Sequence, residues 1–108
     1  MKIAVASVGK DEGSQISPRP GRARFYLLYD SEGALMEVLS NPFSRGGGGA
    51  GFGVAKMLAD KGVRIVVGGA FGEKMEEALR LRGVKYREMS GTVMEGVRRV
   101  VQEETQGA

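Results

Sequence analysis

Apolar and polar positions change period several times along the chain, and each change marks an element. Residues 2–8 (KIAVASV) are apolar on both faces, the pattern of a central strand covered on two sides. Residues 9–21 mix Gly, Ser, Pro and charge without a period, which predicts a long loop. Residues 24–29 (RFYLLY) and 35–39 (LMEVL) are strand-like, and Asp30-Ser31-Glu32-Gly33 between them carries turn chemistry, so the pair predicts an antiparallel hairpin. Asn41-Pro42 ends its second strand.

From about Ala50 the period becomes helical, with Val54, Ala55, Leu58 and Ala59 on one face, Lys56 and Asp60 opposite, and Gly62 as the stop. Residues 64–67 (RIVV) predict a short buried strand. A second helix is predicted over 72–82, with Met75, Ala78 and Leu79 inward and Gly83 closing it. Residues 84–87 (VKYR) have the charge of an edge strand. Thr92 and Glu95 form a capping-box signature for a third helix, whose Val93, Val97, Val100 and Val101 make one apolar stripe; the tail from about 103 to 108 is expected to fray.

The order is strand, hairpin, helix, strand, helix, strand, helix. It predicts an α/β fold in a single domain over residues 1–108, with a mixed five-stranded sheet flanked by helices. If the first hairpin strand runs antiparallel beside the opening strand, right-handed crossovers make the remaining strands parallel to that opening strand. Four strand ends then open on one edge. That edge collects the first loop, the glycine run SRGGGGAGFG at 44–53, Gly68-Gly69-Ala70-Phe71-Gly72 and Ser90-Gly91-Thr92, together with Arg22 and Arg24. Ligands of open α/β sheets bind outside such strand ends, so the candidate site lies there.

Composition narrows the chemistry. The 108 residues contain neither cysteine nor histidine, which removes disulfides, thiolate catalysis, cysteine-held zinc or iron-sulfur sites, and histidine-based catalysis. The formal charge of +3 is spread along the chain and makes no nucleic-acid stripe. No apolar run is long enough to span a bilayer and the opening residues turn polar too early for a secretory signal, so a cytoplasmic location is expected.

The glycine run lacks the GxxxxGK[ST] frame of a phosphate loop, since Phe52, Gly53 and Val54 follow it. In addition, the strand before it is a hairpin partner, and no suitably placed acid follows to bind a ribose. Two readings stay open. Glycines let backbone amides face outward, and a helix start presents its positive end, so Gly46, Gly47, Gly48, Gly49 and Gly51 with Arg22, Arg24 or Arg45 can hold an anion. Equally, the run can be a connector from hairpin to helix. Gly69 and Gly72 pose the same alternative between a second nest and a tight turn. Arg19, Arg22 and Arg24 read as an anion clamp or as solvated loop charges. Met75, Met89 and Met94 read as core filler.

The ordered set MKIAVAS, SPRPGRARFYLLYD, NPFSRGGGGAG, AKMLADKGVRIVVGG and GGAFGEKMEEALRLRGVKY resembles the dinitrogenase iron-molybdenum cofactor biosynthesis family over nearly the whole chain. The resemblance implies a ribonuclease-H-like fold and a role in binding or carrying an iron-sulfur or iron-molybdenum cofactor or its precursor. Many members place a histidine and a phenylalanine before Gly-Arg in the first loop; Arg19 and Pro20 stand there in this chain, with Gly21 and Arg22 retained. A nuclease reading of that fold fails, because residues 2–8 and 64–69 hold none of the acids that two catalytic metal ions need. The resulting expectation is a non-enzymatic binding or carrier protein for an anionic metal cofactor precursor. Its site comprises Arg19, Gly21, Arg22, Arg45, Gly46 to Gly49, Gly51, Gly69 and Gly72. The alternative is a protein interaction module that has lost cofactor binding.

Overall fold

The computed structural model describes residues 1–45 and 49–106. Its elements are β1 Lys2–Ser7, a 3-10 turn Pro20–Arg22, β2 Phe25–Tyr29, β3 Leu35–Ser40, α1 Ala50–Asp60, β4 Val63–Gly68, α2 Glu73–Leu81, β5 Lys85–Glu88 and α3 Val93–Gln106. They form one α/β domain around a five-stranded sheet of order β3-β2-β1-β4-β5. β2 is antiparallel to β1 and to β3, while β4 is parallel to β1 and β5 parallel to β4. The hairpin, the central position of β1 and the charged edge strand β5 are those the sequence pattern predicts. Among the described residues, no helix is long and apolar enough to cross a membrane.

Alternation along the strands divides the core in two. Ala4, Ala6, Tyr26, Leu28 and Val66 face α1 and α2, meeting Val54, Ala55, Leu58, Met75, Ala78 and Leu79. Ile3, Val5, Leu27, Tyr29, Ile65 and Val67 face the Val93, Val97 and Val100 stripe of α3. Every one of these side chains is buried. A strand flanked on both sides must be apolar at every position, which is why β1 reads as a continuous run.

Local chemistry fixes the ends. Thr92 accepts from the Glu95 amide at 3.2 Å and Glu95 accepts from the Thr92 amide at 2.8 Å, closing the capping box at the start of α3. Those bonds hold the Glu95 carboxyl below its ordinary range. The Asp30 carboxylate accepts from the amides of Glu32 and Ala34, which fixes the hairpin turn.

Tyr26 links core and loop, since its buried hydroxyl donates to the Pro20 carbonyl of the 3-10 turn. Burial pushes its pKa far above the ordinary value, and burial together with the Glu12 carboxylate pushes Tyr29 the same way. The linkage has a definite sign. Below the ordinary tyrosine value both folded and unfolded chains keep the proton; above it only the unfolded chain releases one, so stability falls as pH rises. Tyr26 alone is expected to cost about 1.4 kcal/mol per pH unit above about pH 10. Urea unfolding between neutral and alkaline pH checks this: Tyr26→Phe should show a shallower alkaline fall than the parent chain, and equal slopes would contradict the assignment.

Candidate functional site

The carboxyl ends of β1, β3, β4 and β5 share one edge with the start of β2, because Ser7 lies opposite Phe25 and Phe25 opposite Ser40. At that edge the 3-10 turn and the starts of α1 and α2 converge on a cleft of about 510 Å³. Its lining includes Gly21, Arg22, Gly49, Gly51, Gly72 and Lys74. Five of the residues singled out from the sequence thus meet around one space, although they come from three separate segments.

Close backbone approach makes the convergence possible. A side chain at Gly51 would put its Cβ 3.0 to 3.1 Å from the Met75 backbone nitrogen, Cα and Cβ. The first turns of α1 and α2 therefore touch directly. Gly21 lies beside both, with the Gly51 nitrogen 3.8 Å and the Met75 Sδ 3.9 Å from the position of its missing Cβ. Gly49, which precedes α1, has φ 80°, a left-handed conformation that glycine adopts without penalty.

Among the described residues, no side-chain hydrogen bond caps the amino end of α1 or α2. The opening amides of a helix have no carbonyl partner within it, and its dipole adds partial positive charge there. Two such ends meet at the cleft. Arg22 adds a guanidinium, positioned in part by donation from Nη1 to the Phe43 carbonyl at 3.1 Å, and Lys74 adds an ammonium. Glu73 is the opposing charge in the lining, at the first position of α2. Phe52, 48% exposed, and the buried Met75 supply apolar wall.

The remaining sequence candidates fall elsewhere. Arg19 is exposed and outside the cleft lining. Gly69 is used in packing: its amide donates to the Ser17 carbonyl at 2.8 Å, and a Cβ there would lie 2.5 Å from the Pro18 Cα. Arg45 lines a separate hollow with Arg24. Gly46, Gly47 and Gly48 lie outside the described residues. Ala50, Phe52, Glu73 and Lys74 are lining residues that sequence reasoning missed, as is Met75, which it read as core filler. The available signal was position, since each falls in the first turn of a helix that follows a singled-out glycine.

The donor set bears on what the cleft can hold. The chain has no Cys or His, and among the described residues no group of three or more Asp and Glu side chains could hold a metal ion. Iron ligated by side chains does not fit this surface. A preassembled anionic group, held at its periphery by amides and cations, does.

Comparisons with known proteins agree with the fold. The family described as dinitrogenase iron-molybdenum cofactor matches residues 1–103. The apo form of the orange protein from Desulfovibrio gigas is similar at 29% identity, with 94% of this chain and 88% of that chain covered and a TM-score of 0.86. A Thermotoga protein provisionally described as NifB is 35% identical, with 94% and 87% covered and a TM-score of 0.79. A Methanocaldococcus jannaschii protein provisionally described as a dinitrogenase shares the fold at 13% identity, with 96% and 90% covered and a TM-score of 0.67. No curated protein matches the chain.

Proposed function

Because the chain belongs to the dinitrogenase iron-molybdenum cofactor family, we propose that it is a non-enzymatic carrier whose cargo is an anionic iron-sulfur or iron-molybdenum cofactor precursor. The cleft between the 3-10 turn, α1 and α2 is its seat. The observation that carries this reading is the meeting of two helix starts without side-chain caps beside Arg22 and Lys74. Amides of the first turns would donate to the sulfur or oxygen surface of the cargo, and the two cations would balance its charge. Gly49, Gly51 and Gly72 serve by leaving those amides uncovered. The strand order, with β2 antiparallel between β3 and β1, supports reading the fold as ribonuclease-H-like.

Such a site needs no covalent ligand from the protein. A carrier gains from that, since cargo held by charge and hydrogen bonds can be passed on without breaking a thiolate bond. Glu73 opposes the cargo charge and limits affinity.

Titration of the purified chain with an isolated iron-molybdenum cofactor precursor tests the proposal through co-elution and a change in the visible spectrum. Arg22→Gln and Lys74→Gln are each expected to weaken binding about tenfold, the scale of one hydrogen bond to a charged group, whereas Glu73→Gln should strengthen it. No spectral change and no co-elution would end the cofactor reading.

One observation favours a protein partner as a second reading. β3 is an edge strand with Leu35, Met36 and Val38 each at least 40% exposed, whereas the opposite edge, β5, carries Lys85, Arg87 and Glu88. Charge discourages strand pairing at β5; β3 is much less protected.

A further inference from the structure

A second hollow, of about 390 Å³, lies at the loop end of β2 and β3 and shares no lining residue with the α1 and α2 cleft. Its walls are Arg24, Phe25, Ser40, Asn41, Ser44 and Arg45. The local fold brings them together. Phe25 pairs with Ser40, the Asn41 amide donates to the Arg24 carbonyl at 3.0 Å, and the Ser44 amide donates back to the Asn41 carbonyl at 3.2 Å. The chain therefore turns sharply after β3 and returns Arg45 to the strand end where Arg24 sits.

The hollow is cationic by construction. The Arg24 Cζ lies 5.7 Å from the Phe25 ring centroid and the Lys10 Nζ lies 5.6 Å from the same centroid, so three cations gather around one aromatic ring and its hollow. No acid lines it, and among the described residues none of the ion pairs involves Lys10, Arg24 or Arg45. Clustered like charges repel unless an anion lies between them. Asn41 cannot serve a ligand with its amide group, because Nδ2 donates to the Gly21 and Ala23 carbonyls and Oδ1 accepts from the Phe43 amide. What remains for a ligand is chiefly donors: two guanidiniums and the hydroxyls of Ser40 and Ser44. The space exceeds that of one tetrahedral oxyanion and falls in the range of small-molecule sites.

We infer that this hollow binds a small molecule carrying two or more phosphate groups, gripped by Arg24 and Arg45 with Ser40 and Ser44 donating. Guanidinium forks match phosphate oxygens in pairs, and two forks match two phosphates. The site is independent of the carrier reading and stands or falls without it.

Calorimetric titration of the full chain with pyrophosphate at low ionic strength, with orthophosphate and a short single-stranded RNA as parallel arms, is the test. Pyrophosphate should bind about tenfold or more tighter than orthophosphate, because its second phosphate adds charge-assisted bonds. Arg24→Gln and Arg45→Gln should each weaken pyrophosphate about tenfold, and Phe25→Leu about threefold through loss of the cation–π shelf. Arg98→Gln, an exposed cation of α3 that lines neither hollow, should leave pyrophosphate affinity unchanged. Both hollow arginines are exposed, so these variants are expected to fold, and thermal unfolding confirms it. Unchanged pyrophosphate binding in the Arg24→Gln, Arg45→Gln double variant would overturn the inference. So would equal affinity for orthophosphate, tighter binding of the RNA, or a loss in Arg98→Gln as large as in Arg24→Gln.

Discussion

Replacing Asn41 with alanine is expected to destabilise the chain by about 3 kcal/mol, because it strands three backbone groups whose loss costs on the order of 1 to 3 kcal/mol each. Asn41 is 4% exposed. Its Nδ2 donates to the Ala23 carbonyl at 2.8 Å and the Gly21 carbonyl at 3.2 Å, and its Oδ1 accepts from the Phe43 amide at 2.9 Å. One side chain thus ties the 3-10 turn to the segment that follows β3. Water can reach part of this region once the side chain is gone, which keeps the sum below the upper limit. Asn41→Asp should be no milder, since a carboxylate keeps the bond from Phe43 but faces two carbonyls with no proton to give. Urea unfolding measures both, and a loss below about 1 kcal/mol would show that the three bonds are replaceable. The change also loosens Gly21 and Arg22, so cargo affinity should fall with stability.

Gly69→Ala carries the second large effect. The new Cβ would sit 2.5 Å from the Pro18 Cα and 3.0 Å from the Pro18 carbonyl carbon and oxygen, all backbone atoms that no rotamer change can clear. The Gly69 amide donates to Ser17 and the Ala70 amide to Pro18, so the clash falls where the first loop is fastened to the end of β4. Overpacking against backbone costs about 3 kcal/mol here, at the upper end of the usual range. In a domain of this size that lowers the unfolding midpoint by roughly 10 to 15 °C. Gly72→Ala is the control, because a Cβ there meets nothing within 4 Å, and its effect should stay within about 0.5 kcal/mol. Equal midpoints for the two variants would contradict the packing assigned to Gly69.

These two residues also mark where the sequence stops being legible. The strands, the hairpin and the valine stripe of α3 follow from periodicity, because each is fixed by neighbours two to four positions away. The common edge followed from chain order and the handedness of crossovers, and it brings Gly21, Arg22, Gly49, Gly51 and Gly72 to one cleft. Asn41 read only as a strand breaker before Pro42. Its bonds reach residues 18 and 20 positions away, and a single side chain bonded to distant backbone leaves no pattern. Gly69 read equally as an anion nest or a tight turn, and only the Pro18 backbone pressed against it tells the two apart. Arg22, Arg24 and Arg45 read as alternative cations beside one glycine run. The turn after β3 instead places Arg45 with Arg24, a separation that depends on a few dihedral angles rather than on residue type.

Amide spectra recorded while the labelled chain is titrated with an isolated iron-molybdenum cofactor precursor test the carrier account most directly. The account predicts that the amides of Ala50, Gly51 and Phe52 and those of Glu73, Lys74 and Met75 shift or broaden first and together, with the effect reduced in Arg22→Gln. Perturbation confined to β3 or to the Arg24 and Arg45 hollow, or no perturbation at any ratio of cargo to protein, would contradict it.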